Sequence, residues 1–139
     1  MKLNPDCIRA VMAEIEKRHI ITVNDDNDVT FEILWIEALY EALPEYTKED
    51  IFYSVHNLEQ AGYVSTSSHT GDDAIDMYAI NFMTYEGHEF LDKIRDPERW
   101  KAVKSIMGSV RAFALDAVNQ AANGIASAAI SKLVEKYIP

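Results

Sequence analysis

Residues 47–83 read TKEDIFYSVHNLEQAGYVSTSSHTGDDAIDMYAINFM, and this stretch decides the fold. Thr47 is a good helix N-cap, and Thr47-Lys48-Glu49-Asp50 approximates a capping box with Asp in place of the usual Glu or Gln. Ile51, Val55 and Leu58 then line one helical face with Phe52 beside them, and Gly62 supplies a C-terminal stop. Tyr63 to Thr66 reads as a strand, Ser67 to Asp73 as a polar tip, and Asp76 to Met83 as the returning strand. The centre of the chain is therefore a helix that runs into a β-hairpin.

Toward the N-terminus, Asn4 can cap a helix, Pro5 suits its first position and Asp6 suits the positive end of its dipole. Ile8, Val11, Met12 and Ile15 follow at i, i+3, i+4 and i+7, which predicts a helix to about His19. Ile20 to Val23 is β-branched and reads as a short strand, and Asn24 to Asp28 as an acidic turn or loop. Residues 29–36 alternate only partly. They read as an extended stretch passing into a short helix, Glu37 to Leu43, ended by Pro44. Toward the C-terminus, Thr84 caps a helix that includes Phe90, Leu91 and Ile94, and Asp96-Pro97-Glu98 starts another. From Arg99 the pattern allows helix almost to Tyr137, with Gly108 and Gly124 as weak points that cost about 1 kcal/mol each relative to Ala. This order predicts an α+β, mainly α fold: a winged helix-turn-helix over residues 1–95 and a long C-terminal helical extension over residues 96–139.

The chain has 139 residues, of which 48% are apolar, enough for one core. Its single cysteine, Cys7, excludes an internal disulfide and fits a reducing cytoplasm. The opening MKLNPDCIRA lacks the apolar core of a signal peptide, and no stretch is long and apolar enough to read as a membrane span. The formal net charge is −10, and it is unevenly spread. Residues 1–92 hold 5 Lys/Arg against 19 Asp/Glu, whereas residues 93–139 hold 8 against 4.

Three segments carry a resemblance: MKLNPDCIR (1–9), LPEYTKEDIFYSVHNLEQAGYV (43–64) and MTYEGHEFLDKIRDPERW (83–100). In this order they resemble the bacterial and prophage family called domain of unknown function 2513, over about residues 1–110. The resemblance implies a winged-helix-like fold and no assigned biochemical role. The tail beyond Arg111 is less family-like.

A winged helix that reads DNA would use residues 47–60 as its recognition helix, and the side chains suited to base edges there are Lys48, His56, Asn57 and Gln60. They stand among Glu49, Asp50 and Glu59, and the hairpin tip adds Asp72 and Asp73. From His19 through Asp92 there are 16 Asp/Glu and one Lys/Arg, Lys48. Duplex binding needs several phosphate contacts, so charge puts contact with a protein ahead of DNA. If the chain is instead a DNA-binding regulator, Lys93, Arg95, Arg99, Lys101, Lys104 and Arg111 are the candidate phosphate contacts. A third reading is a phage-type inhibitor whose acids mimic DNA phosphates. A merely solvated acidic surface accounts for the same residues more simply.

His19, His56, His69 and His88 fall on separate elements without ligand spacing, so no metal site is expected. Cys7 sits where a helix dipole could lower its pKa, but a lone cysteine is more often a small buried apolar residue. There is no phosphate loop and no argued catalytic set, so neither enzyme chemistry nor a cofactor is expected. In the tail, Ala114, Ala117, Ala121, Gly124, Ala128 and Ser131 form a small-residue seam, with a larger one beside it from Leu115, Val118, Ala122, Ile125, Ala129 and Leu133. So wide an apolar face must be covered, either by the chain itself or by a second copy or partner. The expected function is a non-catalytic cytoplasmic module for protein interaction or self-assembly.

Overall fold

A computed structural model of the chain describes residues 1–110 and 114–125. Helix α1 (Pro5–Arg18) begins where its cap dictates: the Asn4 side chain accepts from the Cys7 amide, and Pro5 opens the first turn. Its apolar stripe buries Cys7, Ile8, Val11, Met12 and Ile15. Strands β1 (Ile21–Val23) and β2 (Val29–Phe31) form a separate antiparallel ribbon. Its turn is shaped by Asn24, whose Oδ1 accepts from the amides of Asp26 and Asp28, and by Asn27 at φ 66°. Strand β3 (Leu34–Trp35) leads into α2 (Ile36–Ala42), and Thr47 caps α3 (Lys48–Gln60) by accepting from the Asp50 amide. Strands β4 (Val64–Thr70) and β5 (Ile75–Met83) make the hairpin, and β3 pairs on the other side of β5 to give the order β3-β5-β4. Helices α4 (Tyr85–Ile94) and α5 (Pro97–Val110) follow, and residues 115–125 are helical again. The architecture is α+β and mainly α.

Three expectations about elements need correction. The hairpin strands run to Thr70 and restart at Ile75, so the tip is shorter than Ser67–Asp73. Polar β4 residues stay in the ladder because Asn81 on β5 bridges them, donating to the hydroxyls of Ser65 and Ser67. The stretch 29–36 is divided between two sheets, because β2 pairs with β1 while β3 pairs with β5. The helix expected from Arg99 to near Tyr137 is also not continuous among the described residues: Ala114 is a bend between α5 and the helical residues 115–125. A straight helix advances about 1.5 Å per residue and would carry Leu115 and Val118 past the core. The break instead returns both to it, where each is buried.

One core runs through the whole assembly. Ile8, Leu39, Val55, Ile80, Leu91, Trp100, Met107 and Val118 all belong to it, so it is continuous across residue 95. Two junctions hold its parts in register. At the first, α3 ends in Gly62 at φ +81°, a left-handed position that suits glycine. The Thr84 amide then donates to the Tyr63 carbonyl, the Thr84 hydroxyl donates to the Gly62 carbonyl, and Thr84 Oγ1 accepts from the Gly87 amide. Tyr63 stacks on Phe90 with centroids 4.7 Å apart. At the second, Arg9 on α1 donates to the carbonyls of Ile94 and Arg95, and Asp6 accepts from Trp100 Nε1 at 2.8 Å.

The first junction requires glycine at position 87. A Cβ there would overlap the Tyr63 carbonyl oxygen and lie 2.8 Å from Met83 Cγ. Gly87→Ala is therefore expected to destabilise the fold by about 3 kcal/mol in urea unfolding. Gly108→Ala meets nothing within 4 Å and is expected to stabilise it by up to about 1 kcal/mol.

Candidate interaction surface

The α3 residues suited to base edges have local partners. The Asn57 amide donates to the Tyr53 carbonyl of its own helix at 2.8 Å. His56 stacks nearly parallel on Phe52, and the Lys48 ammonium lies over the Tyr40 ring at 5.8 Å. Gln60 is exposed beside exposed Glu59. On the hairpin, His69 Nδ1 contacts Asp76 Oδ1 at 2.8 Å. The exposed side of α3 and the tip thus present mainly carboxylates and hydroxyls.

Most of the candidate phosphate contacts are engaged with acids or amides. Arg95 makes a two-pronged contact with Glu16, at 2.8 and 2.7 Å, and also donates to Asp92. Lys104 lies 3.0 Å from Asp6 and over the Trp100 ring. Lys93 donates to Asn119, and Lys101 approaches Glu98 at 3.8 Å in an exposed pair. Arg99 is half-buried and its amide donates to Asp96, the cap of α5. Arg111 lies outside the described residues. Arg95 and Lys104 reach α1 and Lys93 reaches the helical segment 115–125, whereas Lys101 pairs within α5.

No catalytic grouping emerges among the described residues, and no set of three His, Cys, Asp or Glu lies close enough to hold a metal. Cys7 is fully buried, as expected of a lone small apolar residue, and burial pushes its thiol up. His88 Nδ1 lies 3.6 Å from Glu16. His19 packs beside Phe31 and Phe82, at 5.9 and 6.4 Å, with its Nε2 buried and unpartnered among the described residues. A cleft of about 200 Å³ beside α1 is lined by Asp6, Arg9, Tyr46 and Arg95, but the junction bonds above already occupy its polar groups. No helix among the described residues is long and apolar enough to cross a membrane.

The two tail seams are treated differently. Leu115, Val118 and Ala122 of the larger seam are buried in the core, with Ile125 packed against it. In the small-residue seam Ala114 and Gly124 are exposed while Ala117 and Ala121 are half-buried, and a Cβ on Gly124 would meet nothing within 4 Å. Ala128, Ser131, Ala129 and Leu133 lie outside the described residues. Sequence reading gave the first strand, the turn and an extended stretch after it but did not pair them into a ribbon, whose Ile21, Val23, Val29 and Phe31 remain exposed, as do Trp35 and Met77. The available signal was a pair of β-branched runs flanking an Asn/Asp-rich turn.

The acid groups at the second junction respond to pH in a defined direction. Burial pushes Asp6 up, but the Trp100 indole and the Lys104 ammonium outweigh it and hold the carboxyl below its ordinary value. The Arg95 guanidinium does the same for Glu16. A lowered folded-state pKa contributes stability that is present at neutral pH and lost as pH falls below about 4. Urea unfolding from pH 7 downward is expected to show this loss, and Asp6→Asn with Glu16→Gln to flatten it.

An uncharacterized protein of Haemophilus influenzae (strain ATCC 51907 / DSM 11121 / KW20 / Rd) is 27% identical over 132 residues, which covers 91% of this chain and 97% of that protein. No solved structure matches the chain. The family described as Hypothetical protein (DUF2513) matches residues 2–114, a span that includes both junctions and every element from α1 to α5. The chain belongs to the DUF2513 family.

Proposed function

We propose that the chain is a non-catalytic winged-helix protein of the cytoplasm whose α3 and hairpin contact another protein rather than DNA. The winged-helix reading is supported by the order α1, β3, α2, α3, β4, β5 and by the sheet order β3-β5-β4, with α3 leading directly into the hairpin. The observation that carries the function is the disposition of charge. The α3 and hairpin surface is acidic, and the best-placed arginine of the basic segment, Arg95, is committed to Glu16 and Asp92. A fold that must release several counterions to grip a duplex lacks the cations to do so.

The burial of Leu115, Val118 and Ala122 favours a tail that packs on its own core over one that drives self-assembly. A chain ending at Arg111 is therefore expected to unfold at a lower temperature than the full chain while light scattering gives both as monomers. A full-length dimer that the shortened chain loses would favour self-assembly. At micromolar concentration and low salt, the full chain is expected to retard no mixed-sequence duplex. A retarded band that fades as salt is raised would favour the DNA-binding regulator.

A further inference from the structure

The β1–β2 ribbon carries chemistry that the foregoing reading leaves unused. Ile21 pairs with Phe31 and Val23 with Val29, so these four side chains share one face, opposite Thr22 and Thr30. The base of that face is partly closed where Phe31 meets His19 and Phe82. Nearer the tip, Val23 and Val29 are 58% and 60% exposed. The ribbon has only two strands, so both outer edges carry backbone groups with no ladder partner. Such a hairpin is marginal in water by itself and gains from a third strand.

Charge selects the occupant. Residues 20–35 contain Asp25, Asp26, Asp28 and Glu32 and no lysine or arginine. Asn24 holds the turn so that three of these carboxylates sit together at its tip. Two copies of the ribbon would oppose like charges, which disfavours self-pairing. Anionic lipid and nucleic acid are repelled on the same ground.

We propose that the ribbon docks an extended segment of another protein in which apolar residues alternate with lysine or arginine. The segment adds as a third strand, its apolar side chains continue the face of Ile21, Val23, Val29 and Phe31, and its cations lie against the acids of the turn and Glu32. This surface is distinct from α3 and the hairpin, so the inference stands or falls independently of what those elements contact.

The test is NMR titration of the isotope-labelled full chain with a short peptide alternating valine and lysine, and with its counterpart carrying glutamate for lysine. The lysine peptide is expected to shift amides of residues 21–31, to bind about tenfold tighter than the glutamate peptide, and to weaken with salt. Val23→Thr with Val29→Thr changes two exposed side chains to polar isosteres and is expected to weaken binding about tenfold. Equal binding of the two peptides, no binding, or shifts centred elsewhere would overturn the proposal. So would a full-length dimer that the double variant dissolves, since the occupant would then be a second copy. Protection of the Val23 and Val29 amides that disappears when the chain is ended at Ile125 would assign the face to the chain's own tail, with the same consequence.

Discussion

The contact between Thr84 and the Gly62-Tyr63 carbonyls is the constraint on which the remainder of the fold depends. It joins the end of α3 to the start of α4 across the full length of the hairpin. Because Gly87 has no side chain, α4 can begin against the Tyr63 backbone, and Phe90 then reaches the Tyr63 ring. The geometry sets where β4 leaves and where β5 returns. That in turn aligns Tyr78 and Ile80 with the core formed by α1 and α3. The two helices after the hairpin are oriented from this point, and α1 clamps their meeting place through Arg9 and Asp6.

This accounts physically for the three family-like segments. Asp6 and Arg9 of the first segment meet Ile94, Arg95 and Trp100 of the third, while Gly62 and Tyr63 of the second meet Thr84 and Gly87 of the third. Each segment supplies caps, a close backbone approach or a part-buried polar contact. The family pattern of DUF2513 therefore describes, in this chain, the means by which the parts are held together. Elsewhere, on α3, the hairpin and the ribbon, acids dominate and cations are scarce.

The cations of residues 93–104 illustrate how a composition signal misleads when distance is unknown. Read along the chain, they form a basic segment, because their neighbours in sequence are mostly apolar or neutral. In space Arg95 meets Glu16, and Lys104 meets Asp6, both on α1 and far earlier in the chain. A partner so remote in sequence leaves no periodic trace. The ribbon was legible in part: its first strand and turn follow from β-branched and Asn/Asp residues, but strands of three residues do not reveal their pairing, and apolar residues that face outward are not where a core-seeking pattern places them.

Local chemistry was legible in the residues alone. Caps at Asn4, Thr47, Thr84 and Asp96, apolar spacing on α1 and α3, and the stop at Gly62 define α1, α3, α4 and the start of α5, because each acts within a few residues. The acidic character of residues 19–92 was equally plain, since charge is a property of composition. Tertiary structure alone decided that β3 joins β5, that Arg95 and Lys104 pair with acids of α1, and that helix 115–125 returns its larger seam to the core. Those outcomes depend on which distant surfaces meet and exclude water together, and that is set only when the whole core closes.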